Sequence, residues 1–193
     1  IILMKKIHLF FIFIVYLICF FPYSISMANE EASYKVVHKT EIYEIRYYSD
    51  RLVAQVTNKG DNNSFRKLFN YIAGENNSSE KIKMTVPVTQ TEENNLLLMQ
   101  FYLPSKYNKQ TTPIPKNSDI KIVTIEEGYF AVIKYSGRAS DKNFLKYSEI
   151  LYNQLSKDQI SVTGSAIRAT YNSPFTPPPF RRNEAMFNVD WKN

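Results

Sequence analysis

Between residues 29 and 193 the sequence holds one histidine, His38, and no cysteine. One imidazole and no thiolate cannot build a structural zinc site, and they cannot clamp a metal between two histidines of one chain. A serine nucleophile would have to share the same His38. No Gly-x-Ser-x-Gly elbow surrounds any serine, and Thr163-Gly164-Ser165 lacks the pattern. There is no glycine-rich phosphate loop. The acid pairs Glu92-Glu93 and Glu126-Glu127 fall in predicted turns, where adjacent carboxylates are solvated. The chemistry left is that of binding. Arg181, Arg182 and Glu184 form either an anion site built from guanidinium forks or an ion pair tying a proline-rich strap to the last strand. Met84, in the stretch KIKMTVPV, is either a thioether reaching a flat apolar ligand or an adaptable filler beneath a helix.

The elements that must position these residues are legible as periodicities. DNNSFRKLFNYIAGEN places Phe65, Leu68, Phe69 and Ile72 at i, i+3, i+4 and i+7, with cap candidates from Asp61 to Ser64 and Gly74 just past the end. This is an amphipathic helix. Its apolar stripe, flanked by Arg66 and Lys67, is either a pocket wall whose cations meet carboxylates or a plain core stripe with a solvated flank. Before it, IYEIRYYSDRLVAQVTN alternates apolar and polar residues on either side of Ser49-Asp50 and predicts a hairpin. After it, KIKMTVPVTQ and LLLMQFYLP predict a second hairpin, in which Pro87 needs a bulge or an unpaired edge. The order then repeats. VTIEEGYFAVIKYSG predicts a hairpin turning at Glu127-Gly128, and SDKNFLKYSEILYNQL predicts a helix with Phe144, Tyr147, Leu151 and Leu155 on one face. SAIRATYN and EAMFNVDW follow as strands. Ala54 matches Ala131 and Phe65 matches Phe144 at separations of 77 and 79 residues, which marks a duplicated ββαββ module with repeats at about 34–104 and 119–191. Two such units can curve their sheets into one open barrel with both helices outside.

Lys5 and Lys6 precede a 13-residue apolar run, Leu9 to Phe21, and Ser26-Met27-Ala28 offers small residues for cleavage. The expectation is a signal peptide over residues 1–28, an exported (periplasmic or secreted) protein, and no stable membrane span after cleavage. Of 193 residues, 165 then remain, expected as a single domain over 29–193, and the formal net charge falls from +6 to +4. The remaining lysines alternate with acids and form no basic stripe, so no nucleic-acid partner is expected.

KIKMTVPV after the first helix, Tyr171, and then PFTPPPFRRNEAMF resemble the SOUL haem-binding family, whose members carry K-I-x-M-T-x-P-V and a proline-rich strap leading into R-R-N-E-V. The helix end FNYIAGEN is similar as well, and Ala185 departs from the family's valine. The resemblance runs from about Tyr34 to Trp191. It implies an α+β fold, a distorted antiparallel β-barrel of two repeated halves with two flanking helices. It also implies a monomer that binds haem or a related tetrapyrrole in an apolar cleft, as a carrier or buffer and without catalysis. On this chain that cleft falls to Phe65, Arg66, Leu68, Phe69, Ile72 and Met84, with His38 as the one candidate for the haem iron. The same general fold serves bacterial effector-binding domains that sense apolar molecules. A module for another apolar ligand or a protein partner is therefore the alternative, and a small-molecule hydrolase is a further one.

Overall fold

In a strand, successive side chains point to opposite faces, and here that alternation sorts the chain into an apolar outside and a mixed inside, where charged and polar residues lie beside the apolar cluster of Tyr48, Phe130, Val132, Ala169 and Met186. The computed structural model describes residues 29–59 and 63–192; the predicted leader and the Asp61-Asn62 part of the predicted helix cap lie outside the described residues. The strands are β1 Glu30–Glu31, β2 Tyr34–Lys39, β3 Glu44–Tyr48, β4 Arg51–Asn58, β5 Thr85–Val86, β6 Val88–Glu93, β7 Leu96–Tyr102, β8 Ile120–Ile125, β9 Gly128–Tyr135, β10 Ser161–Val162, β11 Ile167–Thr170 and β12 Asn183–Asp190. The helices are α1 Ser64–Ile72 and α2 Asp141–Lys157, with a 3-10 turn at Pro178–Phe180.

Ten strands form one sheet in the order β2, β3, β9, β12, β11, β6, β7, β4, β8, with β10 added beside β12. The sheet is antiparallel and curls through about 218° into a half-barrel. The repeat is visible in the topology. Exchanging β3 with β8, β4 with β9, β6 with β11 and β7 with β12 reproduces the same pairings about a line between β6 and β11. Ala54 and Ala131, matched in sequence, are both wholly buried.

Two predicted hairpins are corrected. β3 does not pair with β4 across Ser49-Asp50: β3 joins β2 and β9, while β4 joins β7 and β8. Likewise β8 pairs with β4, and β9 pairs with β3 and β12. The two short links are crossovers that carry the chain from one half of the sheet to the other. They lie side by side, the Glu127 amide donating to Asp50 Oδ1 at 2.8 Å. The β6–β7 hairpin forms as predicted, on Asn94 and Asn95 with φ of 52° and 60°, a tight-turn conformation that asparagine tolerates. KIKMTVPV is not one strand. Residues 81–84 are irregular, β5 is two residues long, and a cis Val86–Pro87 peptide precedes β6.

Both helices cover the convex face. α1 buries Leu68, Tyr71 and Ile72 against Ala54, Val56, Met99 and Phe101. α2 buries Leu151 and Leu155 against Ile45, Ala131, Ala185 and Phe187. The opposite parity of the same strands faces the concave side and carries charge. Arg46 and Glu184 are wholly buried there, reaching each other across β9 at 3.0 Å. Glu184 accepts five hydrogen bonds, two from Arg46, two from Arg182 and one from the Tyr171 hydroxyl at 2.7 Å. Arg46 also donates to Glu44, and Arg182 grips Glu31 of β1 with two bonds of 2.9 and 2.8 Å. The predicted ion pair between Arg182 and Glu184 thus forms. Arg181 instead donates to the carbonyls of Thr176 and Pro174 and holds the proline strap.

Burial works against the Arg46 charge, but Glu184, by hydrogen bond and by charge, more than offsets it and raises the guanidinium pKa. Burial pushes the Tyr48 hydroxyl up to about 12, and burial followed by the neighbouring Glu184 charge raises Tyr171.

Glu184→Gln leaves the wholly buried Arg46 with Glu44 as its one remaining carboxylate and should cost about 3 kcal/mol in urea unfolding. The two tyrosines give a pH dependence of known sign. The folded state holds their protons more tightly than the unfolded chain, whose tyrosines titrate near pH 10. Their stabilising contribution is therefore full below pH 10 and lost as the pH rises toward the folded value of about 12 for Tyr48. Melting temperature should hold between pH 7 and 9 and fall steeply above 10, and Tyr171→Phe should make the fall shallower.

Candidate functional site

The apolar stripe read from the sequence divides in three dimensions. Leu68 and Ile72 point into the core, joined there by Tyr71, which the predicted stripe omits. Phe65 and Phe69 lie at the edge of the buried arc and remain 46% and 51% exposed. A nine-residue helix buries a narrow stripe, and Tyr71 takes the central place because its hydroxyl reaches the Pro113 carbonyl at 2.8 Å. Burial raises the Tyr71 pKa, so the phenol stays a neutral donor. The two outer phenylalanines stack on each other, ring centroids 6.2 Å apart and 13° from parallel. Phe65 also meets Phe101 of β7 edge-on at 5.2 Å, which fixes the pair against the sheet.

The helix end is set by residues of the FNYIAGEN stretch. Gly74 has φ of +119°, and a Cβ there would meet the Ser79 carbonyl oxygen at 3.3 Å. Buried Asn76 then fastens the return loop, donating to the carbonyls of Tyr71 and Glu80 at 3.2 and 2.7 Å and accepting from the Glu80 amide at 3.0 Å. That loop delivers Met84 beneath α1, half-buried against the cluster of Leu68, Tyr71 and Ile72. Arg66 is exposed on the helix, and Lys67 is paired with Asp119 at 3.0 Å. Phe65, Phe69 and Arg66 therefore share the outer side of α1, while Leu68, Ile72 and Met84 support it from below.

His38 is placed elsewhere. It sits on β2 opposite Ile45, next to an irregularity in the β2–β3 register. Its ring lies 5.0 Å from Trp191 and 6.1 Å from Tyr43. Tyr43 donates to Asp158 at 2.7 Å, so this is the end of α2, in the other half of the molecule. Among the described residues no group of three His, Cys, Asp or Glu side chains is arranged to hold a metal ion.

Sequence reading placed Arg182 with Glu184 but missed that Arg46 and Tyr171 join them in one concave cluster, because polar residues alternating with apolar ones suggest a solvated face. The available signal was parity. Glu44, Arg46 and Tyr48 share one side of β3, and Glu184 and Met186 share one side of β12. With its oxygens taken up by two guanidinium groups and a phenol, Glu184 is held as a structural anion. Among the described residues no helix is long and apolar enough to cross a membrane.

Comparison with solved structures gives the same fold at low sequence identity. The C-terminal domain of EcmrR matches with a TM-score of 0.59 and 12% identity, over 82% of this chain and 99% of that one. An uncharacterized conserved protein from Listeria innocua matches with a TM-score of 0.58 and 14% identity, over 79% and 94%. A hydrolase from Listeria innocua matches with a TM-score of 0.54 and 12% identity, over 80% and 94%. A comparison with curated proteins gives no match. The family profile described as SOUL heme-binding protein matches residues 29–188, which span the half-barrel, both helices and the strap. The chain belongs to the SOUL heme-binding protein family.

Proposed function

We propose that the protein binds haem or a related tetrapyrrole against the outer side of α1 and serves as an exported carrier or buffer without catalysing a reaction. The observation that carries this reading is the stacked, half-exposed Phe65–Phe69 pair beside the exposed Arg66. Two rings 13° from parallel give a flat macrocycle an apolar surface to lie on, each aromatic contact contributing about 0.5–1.5 kcal/mol beyond area burial. A guanidinium at the edge suits a propionate. The residues present therefore fit a tetrapyrrole held by its faces and its carboxylates. His38 is set apart from them, so binding does not depend on an imidazole. The basic and apolar leader supports export. The hydrolase among the similar structures shares the fold alone, and Glu184, enclosed by arginines, gives no base for such a reaction.

Titrating hemin into the purified protein should produce a saturable, red-shifted Soret band. Replacing both outer rings, Phe65→Ser with Phe69→Ser, should weaken binding about tenfold or more, equivalent to about 1.4 kcal/mol. His38→Ala should leave the band where it is. As a control, Leu68→Ala should cost about 2–5 kcal/mol of stability, because Leu68 is core. Multi-site uptake without saturation, or saturable binding indifferent to the two phenylalanines, would remove the proposal.

A further inference from the structure

At the rim of the sheet a cavity of about 510 Å3 opens where the β3–β4 crossover meets segment 102–107 and the N-terminal residues 30–33; its lining includes neither Phe65 nor Phe69. Its size lies within the usual range for small-molecule sites, roughly 300–1,000 Å3. Arg51 stands in its wall and also borders a small void of about 10 Å3 lined by Tyr48, Tyr102 and Tyr171.

Arg51 differs from the other inward-facing arginines. Arg46 and Arg182 each meet two carboxylates. Arg51 is framed by rings, its guanidinium carbon lying 4.2 Å from the centroid of Tyr48, 4.7 Å from that of Phe130 and 5.6 Å from that of Tyr102. Its Nε and Nη2 are buried and have no hydrogen-bond partner. The acids sharing the cavity wall are committed elsewhere. Glu31 is held by Arg182, Glu30 accepts from the Ser105 amide at 2.7 Å, and Asp50 accepts from the Glu127 amide at 2.8 Å. Buried donors are ordinarily paired, and a partly buried guanidinium held among aromatic faces, with two covered nitrogens unpaired and no carboxylate bonded to it, keeps its charge for an anion in the cavity it borders.

We propose that this cavity is a second binding site, for a small aromatic monocarboxylic acid. Its carboxylate meets the Arg51 guanidinium at Nη1, the nitrogen that is not among the two covered ones, and its ring lies among Tyr102, Tyr107, Leu52 and Pro104. Glu30 and Asp50 in the same wall set the charge limit, since a second negative charge on the ligand would face them. An inorganic phosphate dianion is therefore excluded, and a neutral molecule of the same shape forfeits the only charged contact available.

The test is isothermal titration of the purified protein with 2-naphthoate, 2-naphthamide and inorganic phosphate. Naphthoate should bind saturably, the amide about tenfold more weakly or worse, and phosphate not at all. Arg51→Gln should weaken naphthoate by about tenfold or more, and Arg51→Lys, which keeps the charge and loses the fork, should fall between. Ser33→Trp adds an indole to the cavity wall from an exposed position and leaves Arg51 in the sequence, and should block naphthoate even if the Arg51 variants fold poorly. The proposal is overturned if naphthoate does not bind, if the amide binds as well as the acid, or if naphthoate binding survives Arg51→Gln or Ser33→Trp. Hemin titration of the same Ser33→Trp protein reads α1 separately and should be unchanged.

Discussion

The Arg46–Glu184 pair is the constraint around which the half-barrel closes. Two unit charges sit wholly buried on strands separated by β9, each the other's wholly buried counter-charge. Each then recruits the elements that lie over the concave face. Glu184 takes Arg182 from the end of the proline strap and Tyr171 from the end of β11. Arg182 takes Glu31, and so fixes β1 beside β5. Desolvating these groups offsets much of what their attraction contributes, so the cluster is better understood as selecting one arrangement of strap, N-terminal segment and last strand than as adding stability. An apolar interior of the same volume could hold the strands together, but it would not specify where the strap lies.

The same parity that sends Arg46 and Glu184 inward sends Ile45, Ala185 and Phe187 outward to α2. A curled sheet therefore needs its helices on the convex side, where the apolar residues are, and must satisfy its polar residues on the concave side with one another. Gln55, Gln100 and Thr89 do this in the first half, linked at 2.8 and 3.1 Å. Arginines and acids do it in the second. The two proposed binding surfaces follow from this division. One is left over on the outside where a short helix cannot bury all its rings, and the other lies on the inside where one arginine has rings for neighbours and no acid.

Much of the fold could be read from the sequence, because periodicity reports which face of an element is apolar. Helix α2 carries Leu151 and Leu155 inward as the spacing requires, and the repeat in the sequence is the repeat in the strand order. Periodicity does not report which strand lies alongside. A two-residue link such as Ser49-Asp50 between alternating segments has the same composition whether the chain folds back as a hairpin or passes to the other half of the sheet. For that reason both crossovers were invisible. The charged face of β3 was invisible for a related cause, since a polar residue opposite an apolar one looks solvated until the curvature of the sheet is known. At the candidate site, Leu68 and Phe69 are equivalent by spacing, and only the hydrogen bond from Tyr71 to Pro113 decides which of them turns inward.

The duplicated halves differ in a way that bears on why the proposed binding face lies on one helix rather than on both. Phe144, the sequence counterpart of Phe65, is covered: the Arg168 guanidinium lies 4.6 Å over its ring and is itself anchored to Asp141 at 2.6 Å. Tyr147 of α2 stacks on Tyr135 at 4.3 Å, nearly parallel, so the rings on that helix have partners within the chain. Phe65 and Phe69 have chiefly each other and the edge of Phe101. An aromatic surface already covered by a tethered cation offers a flat ligand little area, whereas a stacked pair left half in water gains by being covered. The asymmetry between two related halves, more than the presence of aromatic residues as such, is the reason the proposed tetrapyrrole surface is assigned to α1.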